Sequence, residues 1–172
     1  MHRFLTVLQT WLATIWWTGN GMIILVTAIA FGRVLTHDMK AAGDLAGVAL
    51  TIWCWATTGM GLVMAIGLVI QATAARRNQF TLRAVVLALL AALVIGIHAT
   101  SFATIEVASD LRDQLEPHRD ERFPSAETKE LTRRFDVAHD LSFKVYGIET
   151  AFMFLFSLGG CIIIARRMDD DA

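Results

Sequence analysis

His98 and Glu149 are the two residues whose types promise chemistry, because each stands inside a long apolar stretch. An ionisable group in hydrocarbon is costly, so it needs a partner and marks a candidate functional site. A carboxylate and an imidazole at one depth can share or pass a proton, or hold a small cation. Tyr146, Ser101 and Thr150 are the hydrogen-bonding types nearest in sequence, and they form the expected shell of a buried His98/Glu149 centre. The bland alternative has equal chemical standing: a neutral His98 bonded to Glu149 simply ties two helices together.

Two metal readings follow from other residues. Cys54, His98, Met22 and Met153 are soft or borderline ligands that would suit Cu(I), with zinc the other candidate. No HxxxH, CxxC or MxxM spacing supports them, and methionines in apolar helices commonly serve packing. Asp136, His139 and Asp140, with His118 and His37, form a second set that would suit a divalent cation or a solvated helix face. Both cysteines, Cys54 and Cys161, read as buried thiols rather than a disulfide.

Other chemistries find little support. A bis-His haem needs two ligands at one height, whereas His98 and His139 differ by roughly 18 Å in depth by helical rise. No CxxCH is present for covalent haem. Ser142, His139 and Asp136 or Asp140 supply triad types, but side chains of one straight helix do not converge as nucleophile, base and orienter. No phosphate loop or nucleophile elbow occurs. The expectation is a protein that is not an enzyme.

These residues are positioned by an all-α frame. Of the 172 residues, 55% are hydrophobic, gathered in long blocks, and net charge is −1. That composition implies a single membrane domain over 1–172, embedded in a lipid bilayer, and gives no basic character for nucleic acid. Four spans are expected at about 4–32, 45–75, 81–105 and 145–165, with a charged outer region over 109–134. Trp11 suits an interfacial anchor, whereas Trp16 and Trp17 lie too deep for that role. Ala28-Ile29-Ala30 has a signal-peptidase-like form, but the first segment is expected to be retained. Asn20, near mid-membrane, calls for a partner on another helix. Gly59-Met60-Gly61 would let a neighbouring backbone approach.

The polar breaks organise the rest. Arg76-Arg77-Asn78-Gln79 is a tight basic turn. Glu116-Pro117 and Phe123-Pro124 end helices, and Ser125 is an N-cap for a long last helix. Along that helix Phe135, His139, Ser142, Tyr146, Glu149, Thr150 and Met153 share one face, while Asp140 and Lys144 pair on the other. Arg3, Arg76, Arg77, Arg83, Arg166 and Arg167 then share a side. The positive-inside rule makes it the cytoplasmic side of an inner membrane, with both termini there. Nine acids against six bases between Asp110 and Asp140 place that region outside. Counted from the outer boundary, His98 lies roughly 10 Å deep, Glu149 roughly 8 Å, Cys54 and Met153 roughly 14 Å, and Met22 roughly 15 Å. His98 and Glu149 are therefore expected to face each other, above a very apolar cytoplasmic half.

The pattern Arg134-Phe135-x3-His139-x2-Ser142, entering the last span, resembles the signature of the transmembrane protein 205-like family. The Trp16-Trp17-Thr18-Gly19-Asn20-Gly21 stretch and the order of loops are also similar. The chain departs from the family at Tyr146-Gly147, where Asn is frequent, and at Ala28-Ile29-Ala30-Phe31, where Pro is usual. The resemblance implies a small four-helix membrane protein with no settled activity, in which Phe135, His139 and Ser142 are the signature residues. It also implies a loose likeness to copper-resistance protein D membrane domains.

Two functions remain in view. One is the handling of a small cation, metal or proton, at His98, Glu149 and His139. The other is a structural or accessory subunit, as a homo-oligomer or within a larger membrane complex.

Overall fold

The computed structural model describes residues 2–34, 39–77, 81–118 and 125–169. His37, Asn78-Gln79 and Phe123-Pro124, named above, lie outside the described residues. All the described elements are helical: α1 (His2–Ile29), a π-helical turn (Ala30–Val34), α2 (Met39–Arg77), α3 (Thr81–Leu115), a 3-10 turn (Glu116–His118) and α4 (Ala126–Asp169). Each of the four α-helices is long and apolar enough to cross a membrane.

Local sequence explains the boundaries. α3 ends at Leu115 because Pro117 cannot continue the ladder, and Glu116–His118 tightens into a 3-10 turn. Ser125 caps α4: its Oγ accepts the Thr128 N–H at 3.1 Å, and its carbonyl accepts the Lys129 N–H at 3.1 Å. Glu127 adds an acid to that first turn, where the helix dipole favours one. Basic Arg76 and Arg77 complement the C-terminus of α2. α4 runs 44 residues, about 66 Å, against a hydrocarbon core of about 30 Å. α2 also exceeds the expected span, beginning at Met39 and carrying Asp44 inside the helix.

The helices pack in the cyclic order α1–α2–α3–α4, with α4 closing on α1. Neighbours alternate in direction. Gln9 meets Met64 while Asn20 meets Trp53 across α1 and α2. Thr14 meets Ser157 while Asn20 meets Thr150 across α1 and α4. Around the core, Ala13, Trp16, Met64, Leu68, Val94 and Met153 form one buried cluster. Outward positions such as Leu62, Leu89, Ile148 and Leu155 are exposed, giving an apolar perimeter suited to lipid.

Glycines set the close approaches, though not as the sequence suggests. A Cβ at Gly59 would meet open space, while at Gly61 it would sit 3.0 Å from the Trp16 ring. The small residue therefore admits a side chain rather than a backbone. Gly19 likewise seats Trp53, and Gly160 seats Thr10.

Candidate functional site: a buried His–Glu pair beneath an end cavity

α3 and α4 bring His98 and Glu149 into contact. His98 Nδ1 lies 2.8 Å from Glu149 Oε1, with Glu149 2% exposed and His98 9%. The other ring nitrogen is occupied as well: His98 Nε2 lies 2.8 Å from Thr58 Oγ1 on α2. Trp16 of α1 stands edge-on to the imidazole, with ring centroids 5.0 Å apart. All four helices thus converge on His98.

Counting hydrogens limits what this group holds. The Thr58 hydroxyl has one hydrogen and lies 2.7 Å from the Cys54 carbonyl, which can only accept. If Thr58 donates to Cys54 it accepts from His98 and Nε2 carries a hydrogen; if it donates to Nε2 instead, the ring is the neutral Nδ1–H tautomer. Nδ1 faces the carboxyl across 2.8 Å. With a hydrogen on Nε2, either His98 is an imidazolium beside a Glu149 carboxylate, or neutral His98 accepts from a protonated Glu149. A neutral His98 with its hydrogen on Nδ1 would donate to a Glu149 carboxylate, so in every arrangement one proton sits between Nδ1 and Oε1.

The expected shell is arranged differently. Thr150 does not join the pair: its Oγ1 accepts from Asn20 Nδ2 at 2.9 Å and donates to the Tyr146 carbonyl at 2.8 Å. Asn20 Oδ1 in turn accepts the Trp53 indole N–H at 2.7 Å. This second network gives Asn20 its partners and links α1, α2 and α4. Ser101 is buried, and its carbonyl accepts from Thr104. Tyr146 is buried, and its hydroxyl has no hydrogen-bond partner among the described residues. Thr58, the actual second partner of His98, escaped the sequence reading. Its signal was its depth, one turn beyond Cys54 on the expected second span.

The soft metal set does not assemble. Both His98 nitrogens are engaged, and Met22 is 53% exposed on the outside of α1. Cys54 and Met153 are buried, the latter in the apolar cluster. Among the described residues, no group of three or more His, Cys, Asp or Glu is placed to hold a metal ion. The second set fares no better. Asp140 pairs with Lys144 at 2.6 Å, Asp136 and His139 are exposed, and His118 is exposed in the 3-10 turn. His139 lies ten residues before Glu149, about 15 Å along α4, which keeps the two imidazoles apart.

Above the pair, at the end of the bundle that carries Arg112, a cavity of about 470 Å³ opens between all four helices. The signature residues Phe135, His139 and Ser142 line it, and Tyr146 does so one helical turn from Glu149. His139 is held between two rings, with centroids 5.4 Å from Phe135 and 4.8 Å from Phe143. Ser142 Oγ is 2.8 Å from the Thr104 carbonyl and 2.8 Å from its own Ala138 carbonyl, tying α4 to α3. Arg112 donates to the Gly43 carbonyl at 3.0 Å, with Asp113 at 3.6 Å and Asp44 at 3.9 Å from its guanidinium.

No family model, curated protein or solved structure matches the chain. Its own geometry is what bears on function.

On the other side of the pair, Trp16, Met64, Leu68, Val94 and Met153 form an apolar plug. That half is not uniformly apolar, contrary to expectation. Gln71 Nε2 donates to Gln9 Oε1 at 3.1 Å, and Gln9 Nε2 donates to the Met64 carbonyl at 3.3 Å. Ser157 donates to Thr14 at 2.6 Å, since the Thr14 hydrogen is directed to the Thr10 carbonyl.

Proposed function

We propose that this is a non-enzymatic integral membrane protein that holds and exchanges a single proton at the His98–Glu149 pair. The observation that carries the reading is the buried Nδ1–Oε1 contact, which holds one proton in each arrangement of the hydrogens. A proton needs no coordination shell, so the occupied ring nitrogens favour it over copper or zinc as the small cation. The cavity approaches the pair to within a turn from one end, and the apolar plug blocks the other. Exchange from the cavity end follows, without steady conduction across the bundle.

Arg3, Arg76, Arg77 and Arg166 lie at the end opposite the cavity, and the positive-inside rule assigns that end to the cytoplasm of an inner membrane. Kinship with the transmembrane protein 205-like family is proposed on the same footing, supported by the signature residues lying together on the cavity wall.

Infrared difference spectroscopy of the reconstituted protein, on stepping the bulk pH, tests the reading. A buried carboxyl band that responds in the wild type and vanishes in Glu149→Gln is expected, with unchanged helix content. A silent carboxyl region, together with a lower melting point for Glu149→Gln, would overturn it.

That second outcome would favour an accessory-subunit reading, which one observation supports. The Thr58–His98–Glu149 and Trp53–Asn20–Thr150 networks together tie all four helices, as a rigid packing module requires.

A further inference from the structure

We infer that the ring of Tyr146 is the gate through which the proton held by His98 and Glu149 meets water. The inference deepens the proposed function and rests on it, since a gate has a use only where a proton is exchanged.

The cavity stops short of the pair. On α1, α2 and α3 the lining residues nearest to it are Ile23, Thr51 and Ile105. Each stands seven residues from the side chain that forms or touches the pair, namely Trp16, Thr58 and His98. That separation is about 10.5 Å of helical rise. Only on α4 does the lining come closer: Tyr146 stands three residues from Glu149, about 4.5 Å along the helix. Tyr146 therefore bridges the gap. It lines the cavity, while its hydroxyl is buried and lies within electrostatic reach of Glu149 and Cys54. No hydrogen bond among the described residues holds that hydroxyl in place.

The layer behind the ring is polar. Cys54 and Ser101 are buried at heights between the cavity lining and the pair, and Glu149 is 2% exposed beneath them. A buried water needs two to four polar partners as well as room. Displacing the ring would supply the room, and Glu149, Cys54, Ser101 and the Tyr146 hydroxyl would supply the partners. The plug on the other side is the opposite case. Met64, Leu68, Val94 and Met153 offer water no good partner, so a gap opened there stays dry. A water admitted beside Glu149 gives one hydrogen to the pair as it takes the shared one. The exchange is one for one and leaves the charge unchanged, and it needs the ring to move rather than the hydroxyl to react.

The test is replacement of the shared proton by deuterium, followed by NMR on the full chain in nanodiscs after transfer to deuterated water. Tyr146→Ala should speed loss of that signal about tenfold or more, with helix amide exchange unchanged. Tyr146→Phe, which keeps the ring, should stay within about threefold of the wild type. Met153→Ala removes similar bulk from the plug and should leave the rate within the same range. Should the alanine variant not fold, Tyr146→Leu is read in its place, with a gain of about threefold or more expected. An unchanged rate in the variant so read would overturn the gate, as would an equal gain in Met153→Ala. A shared proton lost at once in the wild type would overturn it too, because nothing would then be sealed. A rate about tenfold slower in Tyr146→Phe would make the hydroxyl the route and the ring no gate. None of these readouts needs a response to pH. A silent carboxyl band beside a rate set by Tyr146 would sink the proton-handling reading alone.

Discussion

His98 is worth more than any other single side chain here, because removing it leaves Glu149 buried without its partner. His98→Ala should cost about 3–5 kcal/mol, as breaking one side of a buried pair does. Glu149→Gln, which keeps shape and one hydrogen bond, should cost far less. Denaturation in detergent with a melting readout separates the two. Near-equal losses would contradict the cost assigned to leaving Glu149 buried without a partner. Outside the membrane, Arg133 donates to Glu130 at 2.8 and 2.7 Å and holds that carboxyl below its ordinary range. Because the folded value is the lower one, its small contribution is present above the unfolded value. It disappears as pH falls through the folded one. Carboxyl NMR should show Glu130 returning to its ordinary range in Arg133→Gln.

At this scale the sequence was half legible. The depth of His98 and Glu149 follows from helical rise alone, so their meeting could be read. Thr58 could not, because a threonine in an apolar helix is usually bonded to its own backbone. Only the tertiary fold shows that its oxygen also faces an imidazole. Tyr146 misled for the opposite reason: its position on the polar stripe implied a partner that the fold withholds.

Helix ends and crossings are the next scale. Ser125→Ala should destabilise α4's first turn by about 0.5–2 kcal/mol, read as faster amide exchange over Ala126–Glu130 with the membrane part unaffected. Gly19→Ala should be harmful beyond its size, because the new methyl runs into the Trp53 indole. That displaces Trp53 from Asn20 and adds an overpacking cost of about 1–3 kcal/mol. Gly147→Ala meets no neighbour and should be neutral or slightly stabilising on the same melting assay. The four helices, the break at Glu116-Pro117 and the cap at Ser125 were legible because hydropathy, proline and capping chemistry act locally. Which glycines matter was not. Gly19, Gly59, Gly61 and Gly160 look alike in sequence, and only the neighbouring helix distinguishes a seat for Trp53, Trp16 or Thr10 from open space.

For the whole molecule, the arrangement is a cavity at one end, the buried His98–Glu149 pair below it and an apolar plug beyond, with Gln9 and Gln71 pinning the far end. Elemental analysis of the purified protein should find no stoichiometric copper or zinc, and its optical spectrum should show no Soret band. Stoichiometric metal lost in His98→Ala would replace the proton with a metal at the same residue. The cavity itself lay beyond sequence reasoning, since it is a space left among four helices. Yet three of its lining residues, Phe135, His139 and Ser142, are the ones that carry the family resemblance.

The proton count at the pair is most directly tested by nitrogen-15 NMR of labelled histidine in the reconstituted chain, with the His98 signals assigned by loss in His98→Gln. The account predicts that Nδ1 reports a strong hydrogen bond to Glu149, which Glu149→Gln alters. An Nδ1 signal that shows no hydrogen bond to Glu149 and is unchanged in Glu149→Gln would contradict the shared proton and leave the pair a helix tie.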